Sequence, residues 1–253
     1  MKKANPSYPV HIKGGKSRNR EEERKKEKMM MENLEQFFSE YDRMQKICSD
    51  EELESWLISQ CEAVRKEQQE DQRIICSLYN ELGSFYKHRG MYEKGEAAFL
   101  NAKMLWKTPE KDANYATIIN NLAGNYRLMG KYSEAVSLFE QAIELYRKYR
   151  ETPKELVSSA YNNLALVYLD TGKFQEAADM LQAACDEMKD IPDCWFEKAT
   201  AYANMAIAYY KSGETEMAKE KIQIADNLFK SGSLENTPAY QAFLKLKEML
   251  EKK

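Results

Sequence analysis

Asparagine recurs in this chain in a pattern that could serve recognition of a polypeptide. Four dipeptides carry it: Asn80-Glu81, Asn120-Asn121, Asn162-Asn163 and Ala203-Asn204. Asparagine is a mediocre helix former because its side chain competes for backbone hydrogen bonds, so its recurrence inside helical segments needs a reason. A side-chain amide offers both a donor and an acceptor. The amides could bind the backbone of an extended peptide, tie neighbouring helices together, or simply face solvent.

A second set of side chains is predicted to lie on the same surface as these asparagines, one or two helical turns closer to the C-terminal end of each helix. Lys87 and Arg127 could pair with an acidic group on a bound peptide, although exposed cations are also ordinary surface residues. Leu166 and Ile207 would make the later part of the surface more apolar. The full set of predicted peptide-binding residues is Asn80, Asn120, Asn121, Asn162, Asn163, Asn204, Lys87, Arg127, Leu169, Tyr210 and Lys211.

Other kinds of chemistry are poorly represented. The two histidines, His11 and His88, stand in no recognisable spacing with a cysteine or a carboxylate pair, and the five cysteines form no CxxC pair or metal-binding pattern. The GGKS string at 14–17 has Val10 where a phosphate-binding loop needs its first glycine, and no buried strand precedes it. We therefore expect no enzyme, no cofactor and no metal, with the cysteines reduced and mostly packed.

The elements that position these residues form an internal repeat. Four segments align without gaps on Leu82, Leu122, Leu164 and Met205, which are 40, 42 and 41 residues apart. Each has a small residue one position after its start, tyrosine at four, glycine at eight, a small residue at thirteen and alanine at twenty. An internal period of this size is typical of a solenoid. The first helix of each repeat is predicted to end at the glycine, in a left-handed turn.

Proline placement supports a division into two antiparallel helices per repeat. All six prolines lie in the N-terminal segment or between repeats, so none interrupts a predicted helix. Thr108-Pro109, Thr152-Pro153 and Thr237-Pro238 each suggest an N-cap followed by proline at the first helical position. Thr152 also has Glu155 three residues later, which predicts a capping box.

The predicted organisation is a tail over residues 1–17, a helical hairpin over 18–70, four repeats within 71–236 and a capping helix over 237–253. The repeats cover about 73–107, 110–149, 153–190 and 193–230. An apolar stripe in the hairpin, Leu34, Phe37, Tyr41, Met44 and Cys48, either packs on the first repeat or forms a coiled-coil dimer.

Charge and hydropathy exclude some classes of partner. Thirty-eight basic and 41 acidic side chains give a net charge of -3, so there is no global attraction to nucleic acid or to anionic lipid. Basic residues are concentrated near the N-terminus, where we favour a solvated helix start over contact with nucleic acid. No apolar run is long enough to span a bilayer. We expect a cytoplasmic protein that binds neither nucleic acid nor membrane.

The repeat resembles the tetratricopeptide repeat family, through INNLAGNYRLMGKYSEAVSLFEQAIELY and YNNLALVYLDTGKFQEAADMLQAA in particular. The 40 to 42 residue period is similar to the longer variety found in kinesin light chains. The resemblance implies an all-α solenoid whose first helices line a concave groove, with asparagines that bind a peptide there. We therefore expect a non-enzymatic scaffold that binds a segment of another protein. The alternatives are a sensor of a small signalling peptide, resembling Rap-type regulators without an effector domain, and a self-associating structural protein.

Overall fold

The computed structural model describes residues 35–66, 72–106, 113–149 and 151–251, and every regular element within those ranges is a helix. The predicted tail, the GGKS string, Leu34 and Pro109 lie outside the described residues. The described ranges contain eleven helices: α1 (35–47), α2 (Asp50–Lys66), α3 (Gln72–His88), α4 (Tyr92–Leu105), α5 (Ala113–Leu128), α6 (Tyr132–Lys148), α7 (Lys154–Asp170), α8 (Phe174–Glu187), α9 (Trp195–Ser212), α10 (Thr215–Ser231) and α11 (Pro238–Glu251). The predicted all-α solenoid of antiparallel helix pairs, with a helical hairpin before it and a capping helix after it, is confirmed.

Each repeat is a hairpin of two helices: α3 with α4, α5 with α6, α7 with α8, and α9 with α10. The predicted left-handed glycines are confirmed, since the φ values of Gly90, Gly130, Gly172 and Gly213 are 73°, 74°, 75° and 91°. The residue after each glycine donates its backbone N–H to the carbonyl of the tyrosine that lies four residues before the glycine. After Gly90, for example, Met91 N–H donates to the Tyr86 carbonyl at 3.0 Å. These glycines therefore close the first helix and fix the angle at which the second returns.

The small residues of the repeat lie where helices cross, as predicted. Ala123, Ala165 and Ala206 are fully buried. In the first repeat, glycine takes this place because a Cβ built at Gly83 would lie 2.7 Å from ring atoms of Phe99. At the helix crossing of each repeat, the size of the small residue therefore fits the side chains packed against it.

Gly95, which departs from the alanine of the other repeats, is explained by a buried amide. A Cβ built at Gly95 would lie 2.8 Å from Oδ1 of Asn125. Asn125 is fully buried, and its Nδ2 donates to the Tyr92 carbonyl at 2.9 Å. The glycine therefore makes room for an asparagine that joins α5 to the start of α4.

The N-terminal hairpin packs on the first repeat through rings and charges. Phe37 of α1 stacks on Trp56 of α2 with ring centroids 5.4 Å apart, and Tyr41 is 5% exposed. Glu54 of α2 accepts hydrogen bonds from Tyr86 and Lys94, both at 2.8 Å. The described part of the apolar stripe packs within the chain, because Phe37, Tyr41 and Met44 belong to a hydrophobic cluster that includes the first repeat. This packing favours the hairpin that covers the first repeat over the coiled-coil dimer.

Helix α11 is joined to the fourth repeat by a buried carboxylate. Asp226, 2% exposed, accepts hydrogen bonds from Tyr240 at 2.9 Å and Lys247 at 2.8 Å in α11, and from Lys230 at 3.0 Å in its own helix. Burial pushes the pKa of Asp226 up, but these donors outweigh it and hold the pKa below its ordinary value. The cap is thereby tied to the array by charge as well as by its aromatic residues.

The predicted capping box at Thr152 is wrong. Helix α7 starts at Lys154, its N-cap is Pro153, and no side-chain hydrogen bond caps it. Thr152 is buried, and its Oγ1 has no hydrogen-bond partner among the residues that the structure describes. The turn that joins Thr152 N–H to the Tyr149 carbonyl at 2.9 Å places this residue in the loop that enters the helix. By contrast, Thr237 does cap α11, with its Oγ1 accepting from Tyr240 N–H at 3.2 Å.

Candidate functional site

The candidate site is the surface formed by the first helices of the four repeats, which we call the first-helix face. Helix α3 contacts α5, α5 contacts α7, and α7 contacts α9. Successive first helices therefore lie side by side along the stack. The residues that face away from the core on these helices recur at the same position in every repeat.

Asparagine amides join neighbouring first helices directly. Asn121 Nδ2 donates to Asn80 Oδ1 at 3.0 Å, and Asn204 Nδ2 donates to Asn162 Oδ1 at 3.0 Å. In each case the second member of one repeat's pair bonds the first member of the preceding pair. We call these bonds asparagine rungs. Three interpretations of the recurring asparagines were open: peptide binding, bonds between neighbouring helices, and exposure to solvent. For these four asparagines the structure supports bonds between neighbouring helices.

The rung between the second and third repeats is not made. By the same register, Asn163 should donate to Asn120, yet Asn120 Oδ1 is buried without a hydrogen-bond partner within the described part of the chain. Helices α5 and α7 are instead bridged further along by Arg127, whose guanidinium donates to Asp170 at 2.7 Å. An unpartnered buried acceptor costs on the order of 1–3 kcal/mol, and among the asparagines of the recurring pairs only the Asn120 oxygen is in this state within the described residues.

A cavity of about 190 Å³ opens on the first-helix face at this gap. Its lining comes from α3, α5, α6 and α7, and consists of Lys87, His88, Asn120, Asn121, Gly124, Arg127, Leu128, Phe139 and Asn163. Five of these residues were predicted from the sequence to bind a peptide, and the structure brings the five together: Lys87, Asn120, Asn121, Arg127 and Asn163.

The two cations of the cavity differ in their surroundings. Arg127 is paired with Asp170. Lys87 occupies the same position in its own repeat, but the residue that corresponds to Asp170 beside it is Leu128, and the described residues form no ion pair with it. Burial lowers the pKa of Lys87, the neighbouring Arg127 lowers it further, and Glu81 acts in the opposite direction. Lys87 is therefore a partly desolvated ammonium group without a bonded carboxylate.

Glu81 is the acidic group nearest to that lysine on the same helix, and it is 4% exposed. Burial raises the pKa of Glu81 to about 7. Asn80 donates to its Oε1 at 3.3 Å, which also leaves the Asn80 oxygen free to accept the rung from Asn121. The carboxyl thus belongs to the rung network and does not face the cavity as a ligand.

Two of the residues predicted to contact a ligand are buried. Leu169 is 8% exposed and packs in the core with Ala165 and Leu181, because its helix presents it toward the fourth repeat. Asn80 is 5% exposed and fully occupied by its neighbours. Neither side chain is exposed enough to contact a peptide directly. Tyr210 is half-buried, and Lys211 is exposed with its Nζ 6.0 Å from the Phe174 ring.

The floor of this face, by which we mean the residues two positions after each repeat start, was predicted only in part: Leu166 and Ile207 were expected on this surface, whereas Gly124 was not. Gly124 lines the cavity, and its counterparts in the other repeats, two residues after each repeat start, are Ser84, Leu166 and Ile207. Thr117 and its counterparts form a row of four hydroxyl residues two turns earlier, Ser77, Thr117, Ser159 and Thr200. The helical period that identified the core also places these rows on the opposite face, so they could have been found by applying it to the polar side.

The fold defines a helical-repeat protein whose first helices lie side by side. The sequence profile described as tetratricopeptide repeat matches residues 74–148, 114–190 and 156–223. These matches span more than half of the chain, and the chain belongs to the tetratricopeptide repeat family.

Solved structures share the fold. BtubC (BKLC) from P. vanneervenii superposes with a TM-score of 0.70 at 20% identity, covering 78% of this chain and 80% of that one. A structure of nearly identical TPR-like repeats attributed to a kinesin light chain of Podosopora anserina gives a TM-score of 0.66 at 17% identity, covering 79% of this chain and 96% of that one. The predicted likeness to kinesin light chain repeats is confirmed at the level of fold.

Two further matches are to parts of larger proteins. A signal transduction ATPase with a tetratricopeptide repeat sensor from Pyrococcus horikoshii gives a TM-score of 0.63 at 18% identity, covering 81% of this chain and 30% of that one. Response regulator aspartate phosphatase E of Bacillus subtilis is 33% identical over 79 residues, which is 31% of this chain. The chain spans only 20% of that relative's length.

Three other properties of the described residues bear on function. They contain no cluster of three or more side chains suited to a metal ion. No helix among them has the length and apolar character needed to cross a membrane. All five cysteines lie in the described part of the chain, where none forms a disulfide, and four of them are buried.

Proposed function

We propose that this chain is a non-enzymatic binding protein whose first-helix face holds a peptide segment of a partner protein, with an acidic group of that peptide at Lys87. The observation that carries the proposal is the cavity between α3, α5 and α7, where a partly desolvated lysine lies beside amides that are not all used for structure. Membership of a family of interaction modules is consistent with it.

Charge complementarity defines the peptide chemistry. A carboxylate at Lys87 would form a charge-assisted hydrogen bond, and such bonds are worth about 1.5–3 kcal/mol. Asp170 already neutralises Arg127, so Lys87 is the stronger attraction. Toward the third and fourth repeats the floor becomes apolar, with Leu166 and Ile207 partly exposed. The peptide that fits this face has an acidic residue at one end and an apolar residue at the other.

Selection from a displayed library of random short peptides tests this proposal. Peptides selected on the full chain should be enriched in aspartate and glutamate at one position relative to the unselected library. A parallel selection on the Lys87→Gln variant should lose that enrichment. If the two selections recover the same sequences, or neither recovers any, the proposed site is wrong.

A second candidate keeps the site and changes the partner to a short soluble signalling peptide. The 79-residue match to the Bacillus protein favours it. The two candidates differ in whether a free peptide terminus is needed. A selected sequence should bind equally well when it is embedded in a carrier protein if the chain is a scaffold, and only as a free peptide if the chain is a peptide sensor.

A further inference from the structure

The outward side of α4 carries apolar residues where the second helices of the other repeats carry polar ones. Ala97, Leu100 and Met104 follow one another at spacings of three and four residues, so they lie on one side of the helix. We call them the α4 stripe. All three are exposed, Leu100 by 40% and Met104 by 77%. The residues at the same positions of the other repeats are also exposed but polar: Ser137, Glu140 and Glu144 in α6, Asp179, Gln182 and Asp186 in α8, and Glu220, Gln223 and Asn227 in α10. Packing within the chain therefore does not require the α4 stripe.

The neighbouring helix α2 extends this apolar surface. Glu54 of α2 accepts a hydrogen bond from Lys94 in the first turn of α4 at 2.8 Å. Ile58 lies one turn after Glu54 on the same side of α2 and is 37% exposed, so it lies beside α4. Exposed apolar residues that occur singly are ordinary, whereas a contiguous group is typical of an interaction site.

The charges beside the α4 stripe are arranged so that a second copy of α4 would complement them. Glu96 and Lys103 are seven residues apart, which places both on the same flank of the stripe. In an antiparallel pair of helices related by a two-fold axis, each flank faces the same flank of the other copy. Glu96 of each copy then lies opposite Lys103 of the other. On the second flank, Lys94 lies opposite Asn101 in the same way.

The same antiparallel register suits the sizes of the apolar residues. It places Ala97 of each copy opposite Leu100 of the other, so a small side chain faces a large one on both sides of the axis. A parallel pair would instead place Glu93 opposite the same residue of the second copy, and like charges in such a position are unfavourable. Charge and size therefore favour the antiparallel pair.

We propose that α4 is a self-association site, at which two copies of this chain pair antiparallel through the α4 stripe. The pairing goes beyond the proposed function and does not depend on it. One helix and its flank form the contact in each copy, which is small for a protein interface, so the dimer is weak and depends on concentration. Because second helices meet at its centre, the two first-helix faces lie on opposite sides of the dimer. Such a dimer binds more tightly to a partner that carries the recognised segment twice.

Sedimentation velocity of the full chain tests this self-association over about 1–200 µM. The average mass should increase with concentration from that of one chain toward that of two. Leu100→Gln combined with Met104→Glu introduces residues that stand at these positions in the third and second repeats, so the double variant should fold and remain monomeric. Met249→Glu, at an exposed methionine of α11, is the control and should dimerise like wild type. A wild-type chain that stays monomeric, or a double variant that dimerises as wild type does, would overturn the proposal.

A charge exchange tests the antiparallel register without changing the apolar residues. Glu96→Lys and Lys103→Glu each place like charges opposite one another in a homodimer, so either variant alone should dimerise about tenfold more weakly or worse. An equimolar mixture of the two pairs opposite charges again and should recover the dimer. Lys131→Gln removes the ion pair that Glu96 makes within the chain, and as the control it should dimerise like wild type. A mixture that stays monomeric, or single variants that match wild type, would show that α4 does not pair in this way.

Discussion

Asn121 donates a hydrogen bond from its side-chain nitrogen to the side-chain oxygen of Asn80 across 3.0 Å, and so joins the first helices of two neighbouring repeats. Its counterpart in the next repeat, Asn163, has the same residue type and the same place in its helix but makes no such bond to Asn120, whose oxygen stays unpartnered. One residue position therefore serves stability in one repeat and is available for binding in the next.

This difference predicts unequal costs for two identical substitutions. Asn121→Ala leaves the buried Asn80 oxygen without its donor and should lower the free energy of unfolding by about 1–3 kcal/mol. Asn163→Ala should change it by less than about 0.5 kcal/mol. Both replace asparagine with alanine inside a helix, so the gain in helix propensity cancels in the comparison. Urea denaturation of the two variants measures the difference, and equal losses would contradict the distinction between a made and an unmade rung.

Gly95 and Asn125 should be energetically coupled. Gly95→Ala places a methyl group against the Asn125 oxygen and should destabilise the chain by about 1–3 kcal/mol. In the double variant Gly95→Ala with Asn125→Ala, the added methyl group has space, as Ala177 has in the third repeat. A double-mutant cycle in urea should give a coupling of at least about 1 kcal/mol. Simple additivity of the two single effects would show that the glycine has another cause.

Glu81 predicts a pH-dependent stability with a definite sign. Its pKa in the folded chain, about 7, is above the ordinary value of about 4.3 expected when unfolded. The folded state therefore binds the proton more tightly, and this group's contribution to stability increases as the pH falls from about 8 toward 5. Tyr41 of α1 and Lys87 of α3 are the titratable groups that interact with it.

Glu81→Gln should remove that dependence. At about pH 8 the variant should be more stable than wild type by an amount on the order of 1–3 kcal/mol, because a buried charge is gone, and near pH 5 the two should converge. Melting temperatures at both pH values provide the measurement. A stability difference that is the same at both pH values would mean that Glu81 does not titrate in this range.

Asp226 should hold the C-terminal cap. Asp226→Ala removes the acceptor shared by Tyr240, Lys247 and Lys230. Since both lysines are partly exposed, we expect a moderate loss of about 1–3 kcal/mol, together with faster amide hydrogen exchange in α11. Glu220→Ala, which breaks the exposed ion pair with Lys221, is the control and should cost less than about 0.5 kcal/mol. Protection of α11 that survives Asp226→Ala would show that its apolar contacts alone suffice.

The helical-repeat architecture could be predicted from the sequence because it depends on residues that are close to one another in the chain. Leu122, Leu164 and Met205 are buried because the same helical period recurs in every repeat, and Gly130 or Gly172 ends a helix because a left-handed turn favours glycine. Such features depend on neighbours close in the chain. The Thr152 prediction was also local, and it was wrong because the chain makes a turn there that moves the helix start past the threonine.

The site was predicted only in outline, since its details depend on contacts between distant residues. The Asn121 and Asn80 side chains are 41 residues apart, and their bond depends on the rotation of two helices about their own axes. The same rotation buries Leu169 and exposes the backbone at Gly124. Sequence spacing selects a face of a helix, but it does not show which amides on that face bond one another.

The most direct test of a peptide site at Lys87 is the affinity of one selected acidic peptide for two charge-matched variants. Lys87→Gln removes the cation of the cavity, whereas Lys173→Gln removes an exposed lysine in the turn before α8. Isothermal titration should show a loss of about 10- to 100-fold for Lys87→Gln and less than about twofold for Lys173→Gln. Equal affinities for the two variants would contradict the account.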